Sequence, residues 1–347
     1  MEEIKELVRV SNEIGRFKEL VQAGGGNTSV KTKDGKIIIK ASGFTFSEMT
    51  ETSGFSILDQ NKVSDFFKNL AQMPTSNENE DVYNQTLANS MVDSNLPKPS
   101  MEAGMHIFLH RIVVHTHPIM ANIINCMKGG EKIARELFSE TIPEILWLGY
   151  KNPGYALAKE IKNKVYSYES KNGVKPELIF LKNHGIIVSS DDPKCANMTI
   201  EINEKIYDYL KHNFGLERFV DPQIQIKNGI CFNDSEIVKR FVSNLDENKH
   251  FLSKFLIPDD AVYCSGVSIQ DINDLDKNNI TFVDGVGIFY PWNEKKSVKV
   301  NEMLTAKLYI LSVLSKTGEV DFLRDEDVNY VLNMESEKYR QKLNEAS

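Results

Sequence analysis

The spacing of hydrophobic residues predicts alternating helices and strands from the start of the chain. Apolar residues recur every three to four positions over residues 2–22, which is the spacing of one helix face. After the glycine-rich segment "AGGGNTS", Asp34-Gly35 marks the turn of a hairpin, because Asp-Gly suits a two-residue turn. The pattern next predicts a strand pair around Asn61 and a surface loop over "PTSNENEDVYN".

The elements between residues 97 and 215 carry most of the functional argument. A helix of about eleven residues is predicted from Ser100, a natural N-cap residue with Glu102 in the first turn. The β-branched run "IVVHTHP" predicts a strand that Pro118 ends. Helices are expected over 119–139 and 153–171, and two strands within "PELIFLKNHGIIVSS" on either side of His184-Gly185. A further helix follows Asp191.

A second, smaller α/β unit is predicted at the C-terminus. Residues 235–256 are helical in pattern, "AVYCSG", "ITFVDGV" and "GIFYPW" are typical of short strands, and helices are expected over 299–315 and 324–343. A chain of 347 residues is long enough for two domains. We therefore expect domains at 1–215 and 216–347, the second of which covers the functional site or mediates assembly.

The composition excludes several classes of partner. The net charge is −8 and the basic residues are scattered among acidic ones, whereas nucleic-acid binding needs clustered Lys and Arg. Four separated cysteines without a CxxC pair are typical of reduced thiols. The charged N-terminal residues and the lack of a long apolar run lead us to expect a cytoplasmic protein without a membrane partner. The segment "GGGNTS" lacks the spacing of a dinucleotide-binding loop.

The pair His115 and His117 is the strongest candidate for chemistry. Side chains two residues apart on a strand share a face, so the two imidazoles can converge on a metal ion. The alternative is that they are polar residues on an edge strand. Glu102 and His184 favour the metal, since three imidazoles and a carboxylate suit a catalytic zinc with an exchangeable position.

A rival ligand set lies on the predicted helix itself. His106 and His110 follow Glu102 at intervals of four and eight residues, which places all three on one helix face. Histidines on a helix face more often pack or form hydrogen bonds, so the set Glu102, His106 and His110 is the weaker hypothesis.

Five motifs together resemble a known family. They are "GGGNTSVK", "IKASG", "KPSMEAGMH", "VVHTHP" and "KNHGIIV", in this order over about residues 5–215. The combination resembles the class II aldolase/adducin family, which includes L-fuculose-1-phosphate aldolase and L-ribulose-5-phosphate 4-epimerase. The resemblance implies an α/β fold of three layers, with a central, mainly antiparallel sheet flanked by helices. "FVDGVGIF" and "LRDEDVNYVLNMESEKYRQKL" further resemble the aldolase portion of rhamnulose-1-phosphate aldolase/alcohol dehydrogenase proteins.

The resemblance also implies roles for individual residues. His115, His117 and His184 would hold a divalent metal, most often zinc, with manganese or cobalt as alternatives. Glu102 matches the residue that is a metal ligand or a general acid/base. The substrate phosphate would be bound by Asn27, Ser42, Gly43 and Ser100. Met101 stands where many sugar-phosphate aldolases of the family have a second serine, so an unphosphorylated substrate stays open.

The implied function is a metal-dependent aldolase. A ketose, with a ketose 1-phosphate as the working substrate, would be cleaved by retro-aldol chemistry through a metal-stabilised enediolate. A tyrosine from a neighbouring subunit often serves as second acid in the family, whose members are usually tetramers, so we expect a homo-oligomer. A sugar-phosphate 4-epimerase or a dehydratase is an alternative. A non-catalytic, adducin-like scaffold is another, against which the four filled ligand positions argue.

Overall fold

The computed structural model describes residues 1–69, 77–142, 144–317 and 320–334 of the chain. The chain divides into two compact units. The first comprises Met1–Asn125 and Gly129–Tyr209, and the second comprises Cys126–Lys128 together with the described residues from Leu210 onward. Within these ranges, no helix has the length and apolar character needed to cross a bilayer.

The first unit is built around a seven-stranded sheet with the order β3-β2-β1-β4-β7-β6-β5. All neighbouring strands are antiparallel except β5 and β6, which are parallel. The strands are β1 (Asn27–Lys31), β2 (Lys36–Lys40), β3 (Phe55–Asp59), β4 (Ile112–Thr116), β5 (Leu146–Leu148), β6 (Leu178–Leu181) and β7 (Gly185–Ser190). The mainly antiparallel sheet confirms the predicted fold class.

The described residues of this part of the chain form eight α-helices, the last of which runs into the second unit. They are α1 (Glu2–Gly15), α2 (Gln60–Asn69), α3 (Asn77–Ser90), α4 (Ala103–His106), α5 (Ile119–Asn125), α6 (Gly130–Phe138), α7 (Tyr155–Asn172) and α8 (Cys195–Phe214). α1 packs against β1 and β2. The predicted helix over 119–139 is two helices, α5 and α6. The helical pattern over residues 2–22 corresponds to α1, which ends earlier, at Gly15. A Cβ atom at Gly15 would lie 2.9 Å from Phe46 Cβ.

One hydrophobic core positions the functional face of the sheet. Alternate residues of the sheet, among them Ile37, Val113 and Ile187, share a buried cluster with residues of α2, α3, α4 and α7. Since side chains alternate between the two faces of a strand, His115 lies on the same face of β4 as Val113. The site therefore forms on the face that these helices cover.

Two predictions between residues 55 and 90 are wrong. The predicted strand pair is one strand, β3, followed directly by α2, because Asp59 Oδ1 accepts hydrogen bonds from the backbone N–H groups of Asn61 and Lys62 at 2.9 and 3.4 Å. A carboxylate at this position stabilises a helix N-terminus. The predicted surface loop is helix α3 from Asn77 onward, and its residues 74–76 lie outside the described ranges.

The predicted eleven-residue helix from Ser100 is also wrong in length, because α4 is a single turn. Lys31 Nζ donates to the carbonyl of Ile107 at 2.9 Å and also to that of Leu109. These bonds satisfy backbone carbonyl groups just beyond α4. Glu102 is the N-cap residue of this one-turn helix.

The second unit contains a five-stranded sheet with the order β10-β11-β12-β9-β8. Its strands are β8 (Gln225–Lys227), β9 (Ile230–Asn233), β10 (Val267–Ile269), β11 (Ile280–Val283) and β12 (Gly287–Tyr290). Its further helices are α9 (Glu236–Val242), α10 (Leu245–Asn248), α11 (Pro258–Cys264), α12 (Glu294–Thr317) and α13 (Asp325–Asn333). The mixture of helices and sheet confirms a smaller α/β unit. Of the helix predicted over 324–343, residues from 335 onward lie outside the described ranges.

The segment "AVYCSG", predicted as a strand, belongs to helix α11. Pro258 occupies its start, and Asp259 and Asp260 lie in its first turn. Proline at the first helical position and acidic residues in the first turn both favour a helix N-terminus. These helix signals precede "AVYCSG" in the sequence. The β-branched and aromatic residues of the segment itself favour a strand, which is why the prediction is wrong.

The buried carboxyl group of Asp260 predicts a pH-dependent stability. Burial raises the pKa of Asp260 from 3.8 to about 6, against the attraction of Lys307. Between these values the folded chain keeps the proton and the unfolded chain releases it, so this group stabilises the fold less as pH rises. Relative to Asp260→Asn, wild-type unfolding free energy should fall by up to about 3 kcal/mol between pH 4 and 7.

Urea denaturation of both proteins across this pH range measures that difference. Asparagine can still accept the hydrogen bond that Leu256 N–H donates to Asp260 Oδ2 at 2.8 Å, so the substitution removes the charge and keeps the contact. A difference that does not change with pH would contradict the prediction.

Candidate metal centre

The four predicted ligands come from three separate parts of the first unit. His115 lies on β4, the central strand between β1 and β7, and pairs with Asn27 of β1. His117 follows β4 directly, and His184 lies in the turn between β6 and β7. Glu102 starts α4. Antiparallel pairing of β4 with β7 brings the His184 turn beside the end of β4.

The side chains of these residues converge on one point. His117 Nε2 lies 3.1 Å from His115 Nε2. His115 Nε2 lies 3.4 Å from Glu102 Oε2, and His184 Nε2 lies 3.3 Å from Glu102 Oε1. All four residues are buried. Among the residues that the structure describes, the three histidines are the one group of potential ligands close enough to hold a metal ion.

Hydrogen bonding orients the His115 ring so that its Nε2 atom faces the centre. His115 Nδ1 lies 2.9 Å from the Ile186 carbonyl, which can only accept, so Nδ1 carries a proton. Burial by itself would raise the pKa of Glu102, but attraction and hydrogen bonding from His115 and His184 hold that pKa well below its usual value. An ionised carboxylate therefore faces imidazole nitrogens.

This arrangement fits a divalent metal. Nitrogen and oxygen atoms bound tetrahedrally to zinc at about 2.0–2.1 Å lie about 3.3 Å apart, and the separations between neighbouring donor atoms here are 3.1, 3.3 and 3.4 Å. Neutral imidazoles and an ionised carboxylate are suitable ligands for zinc, manganese or cobalt. The residues that would hold such an ion are Glu102, His115, His117 and His184.

Two glycines allow the backbone to approach the histidines. A Cβ atom on Gly26, which has a φ of +69°, would lie 2.5 Å from the His115 carbonyl oxygen. A Cβ atom on Gly185 would lie 2.3 Å from the Thr116 carbonyl oxygen and 2.8 Å from His117 Cδ2. Any side chain at these positions would push β4 or the His117 ring away.

The turn that carries His184 is held by Asn125 at the end of α5. Asn183 adopts a left-handed conformation with a φ of +52°, which asparagine tolerates better than most residues. The Asn183 N–H donates to the Asn125 carbonyl at 3.3 Å, and Asn125 Nδ2 donates to the Gly185 carbonyl at 2.9 Å. Asn125 therefore fixes the backbone on both sides of His184.

The predicted phosphate-binding segments lie next to Glu102. Asn27 Nδ2 donates to Glu102 Oε2 at 2.8 Å and to Ser100 Oγ at 3.1 Å. The Ser42 N–H donates to the Lys98 carbonyl at 2.9 Å, which aligns "KASG" with "KPS". Gly43 follows in a turn with a φ of +85°. The structure thus joins Asn27 and Ser100 to the carboxylate and brings the segment of Ser42 and Gly43 beside the strand leading to them.

The rival ligand set is not brought together. His106 is buried, and its Nδ1 lies 2.7 Å from Ser29 Oγ. Burial, with a smaller contribution from His115, lowers the pKa of His106 to about 3. His110 lies beside Asp191, with 3.4 Å between Nδ1 and Oδ2. Both histidines therefore make other contacts, and the hypothesis of a Glu102, His106 and His110 site is wrong.

Sequence reasoning missed two polar residues at this site. Lys40 is only 2% exposed, and its Nζ donates to the carbonyl of Gly24 in the glycine-rich turn at 3.4 Å. The sequence signal for Lys40 is its position within "IKASG", where a charged residue ends a hydrophobic strand. Asn125 had no signal, because its partners lie about 60 residues further along the chain.

Comparison with known proteins identifies the first unit. Residues 5–209 match the family model described as the Class II Aldolase and Adducin N-terminal domain. The chain is 27% identical over 355 aligned positions to the protein named uncharacterized oxidoreductase YuxG of Bacillus subtilis (strain 168). That match covers 96% of this chain and 47% of YuxG, so the chain spans about half the length of this curated relative.

Two solved structures are among those similar to part of this chain. The N-terminal class II aldolase domain of a conserved protein from Thermoplasma acidophilum is 27% identical, with a TM-score of 0.50, and the match covers 60% of this chain and 93% of that one. A sugar-phosphate aldolase from Thermotoga maritima is 19% identical with a TM-score of 0.43, covering 63% of this chain and 97% of that one.

The close approach at Gly185 predicts the effect of adding one methyl group. Gly185→Ala should destabilise the fold by about 1–3 kcal/mol, because the new Cβ overlaps backbone and ring atoms. Zinc affinity should fall as well, since His117 must move. Thermal denaturation and a zinc titration measure the two effects.

Gly149→Ala is the matched control, because a Cβ at Gly149 meets no atom within 4 Å. Its stability and zinc affinity should equal those of the wild type. If Gly185→Ala behaved like this control, the proposed constraint on the backbone would be refuted.

Proposed function

Since the chain belongs to the class II aldolase/adducin family, we propose that it is a metal-dependent carbon–carbon lyase that cleaves a ketose by retro-aldol chemistry. The working substrate is a ketose 1-phosphate. The observation that carries this proposal is the convergence of three imidazole Nε2 atoms and the Glu102 carboxylate within one buried volume. All four positions at which the family resemblance implies ligands are occupied by residues that can bind a metal.

Glu102, His115, His117 and His184 would hold the ion, most simply Zn²⁺. A bound divalent metal supplies Lewis-acid stabilisation of the negative charge that develops on substrate oxygens as the carbon–carbon bond breaks. Glu102 is the group that can take and return a proton in this step. Asn27 orients the carboxylate by donating to Oε2 at 2.8 Å, so the proton acceptor has a fixed direction.

The anionic end of the substrate would bind at the segments of Asn27, Ser42, Gly43 and Ser100. Backbone N–H groups in a tight turn and serine hydroxyls form an anion site. Lys40, buried beside the glycine-rich turn, adds a positive charge to this region. Met101 supplies no hydrogen-bond donor from its side chain, so an unphosphorylated ketose belongs in the same substrate panel.

A second reaction of the same site is a sugar-phosphate 4-epimerisation or a dehydration. Both use a metal to stabilise charge beside a carbonyl and a proton-transferring residue, which are the parts found here. The adducin-like scaffold is disfavoured by the buried, mutually oriented ligands, because burying polar groups without use costs stability.

The second unit belongs to the same proposal. We assign residues 1–215 to the metal-dependent domain and 216–347 to a domain that covers the site or mediates assembly, within a homo-oligomer that we expect to be a tetramer. The match to YuxG spans 96% of the chain and therefore includes this region. The resemblance of this region to the aldolase portion of rhamnulose-1-phosphate aldolase/alcohol dehydrogenase proteins rests on its sequence motifs and is part of the proposal.

The metal site can be tested without substrate. After reconstitution with zinc, manganese or cobalt in turn, elemental analysis should find about one divalent ion per chain in the wild type. The variant His115→Ala/His117→Ala should bind none while remaining folded. His212→Ala, which removes an exposed imidazole of α8, is the control and should bind metal normally. A folded wild type that stays metal-free would refute the lyase proposal and favour the scaffold.

The role of Glu102 predicts a loss of turnover. Glu102→Gln should lower kcat for ketose 1-phosphate cleavage by about 10²–10⁴-fold, whereas Glu201→Gln, on the exposed surface of α8, should leave it unchanged. Ketose 1-phosphates and their unphosphorylated counterparts are assayed separately at saturating metal.

Product analysis distinguishes the three reactions. Release of dihydroxyacetone phosphate and an aldehyde supports the lyase. An epimeric sugar phosphate as sole product would replace it with the epimerase, and loss of water would replace it with the dehydratase.

A further inference from the structure

A buried tyrosine of α3 contacts the backbone on both sides of Glu102. Tyr83 OH donates to the Met101 carbonyl at 2.7 Å and accepts the Gly104 N–H at 3.0 Å. One hydroxyl group therefore bridges the residue before Glu102 and the second residue after it. Tyr83 lies 19 residues from Glu102 in sequence and belongs to a different helix.

Glu102 depends on such support because the secondary structure around it is minimal. It is the N-cap of the single-turn helix α4, with a φ of −91° and a ψ of 4°. A one-turn helix has few internal hydrogen bonds to hold its first residue. Contacts from outside the turn therefore decide where the Glu102 side chain points.

The tyrosine ring itself is fixed in place. Tyr83 is completely buried, and its ring lies 5.7 Å from that of Phe66, 6.0 Å from that of Phe67 and 6.1 Å from that of Tyr155. Such aromatic contacts restrict the ring to one orientation. Burial, followed by the negative charge of Glu80, holds the pKa of Tyr83 well above its usual value, so the hydroxyl keeps the proton that it donates.

Gly104 is shaped to receive this hydroxyl. A Cβ atom at Gly104 would lie 2.6 Å from Tyr83 Oη and 2.7 Å from Tyr83 Cε2. The turn can approach the ring only because position 104 has no side chain. The geometry thus contains a matched pair, a hydroxyl on α3 and a glycine in α4.

We propose that Tyr83 is a positioning residue that holds Glu102 at the metal centre through the backbone of Met101 and Gly104. This inference rests on the proposed metal-dependent function. The hydroxyl contacts no ligand atom directly and acts through the turn. α3 thereby contributes to the site although it supplies none of the four ligands.

Zinc affinity, measured by competition with a chelating dye, tests this role in the full chain. Tyr83→Phe should weaken zinc binding by about tenfold or more, the usual effect of removing a group that orients a ligand. The control is Tyr168→Phe, because Tyr168 OH also donates to a backbone carbonyl, that of Glu144 at 2.9 Å, and Glu144 is not a neighbour in sequence of any of the four proposed ligands. Its zinc affinity should be unchanged, although both variants lose a side-chain hydrogen bond and should lose thermal stability.

A double-mutant cycle separates positioning from a general loss of structure. In a Glu102→Gln background, adding Tyr83→Phe should have little further effect on zinc affinity, because the residue through which Tyr83 acts no longer offers its carboxylate. An equal loss in both backgrounds would overturn the proposal, as would a Tyr83→Phe variant with wild-type affinity.

Gly104→Ala provides an independent variant if Tyr83→Phe does not fold. Its new methyl group forces the turn and the Tyr83 hydroxyl apart without removing the hydroxyl from the protein, so the same loss of zinc affinity is expected. Wild-type affinity in this variant would overturn the proposal. These measurements use no sugar. If the protein binds zinc but cleaves no ketose, the lyase proposal is refuted, and the zinc affinities of the variants still test the role of Tyr83.

Discussion

Three imidazoles and a carboxylate can share one small volume here because the backbone on both sides of β4 lacks side chains where it comes closest. Gly26, directly before β1, approaches the His115 carbonyl, and Gly185, the first residue of β7, approaches the Thr116 carbonyl and the His117 ring. With a Cβ at either position the strands would separate, and the distances between the Nε2 atoms would no longer match those between neighbouring ligand atoms around zinc. The antiparallel sheet is therefore the frame of the centre, and the two glycines set its dimensions.

Burying charged and polar side chains costs free energy, and specific contacts at this site offset that cost. An ionised carboxylate that is buried must be paired or hydrogen-bonded, and Glu102 receives Asn27 Nδ2 on Oε2 and lies near the Nε2 atoms of His115 and His184. The His115 ring is oriented in turn by the backbone carbonyl of Ile186. Glu102 and His115 are thus each held by a contact outside the four proposed ligands, which is an arrangement that tunes metal sites.

The clustering of His115, His117 and His184 was predictable because much of it follows from the local geometry of strands and turns. An alternation of two along a strand places His115 beside His117, and a His-Gly break between two strands marks a turn at His184. The length of α4 was not predictable in the same way. The helical pattern continues past His106, yet α4 ends there. Lys31, which lies 76 residues before Ile107 and 78 before Leu109, donates to both of their carbonyls just beyond the helix, so local propensity alone does not set where this helix ends.

Helix α3, which the hydrophobic pattern predicted to be a surface loop, contains the tyrosine that we propose positions Glu102. Of the α3 residues after Glu78, mostly polar in "DVYNQTLANS", only Tyr83 and Leu87 join the core cluster of the sheet. Two apolar residues four positions apart give a weak periodic signal, so the segment looks like a loop until the partners of Tyr83 are known. Its stability comes from tertiary packing rather than from its own amphipathicity. The proposed role of α3 in positioning Glu102 therefore depends on the buried hydroxyl of Tyr83 and not on the polar surface of the helix.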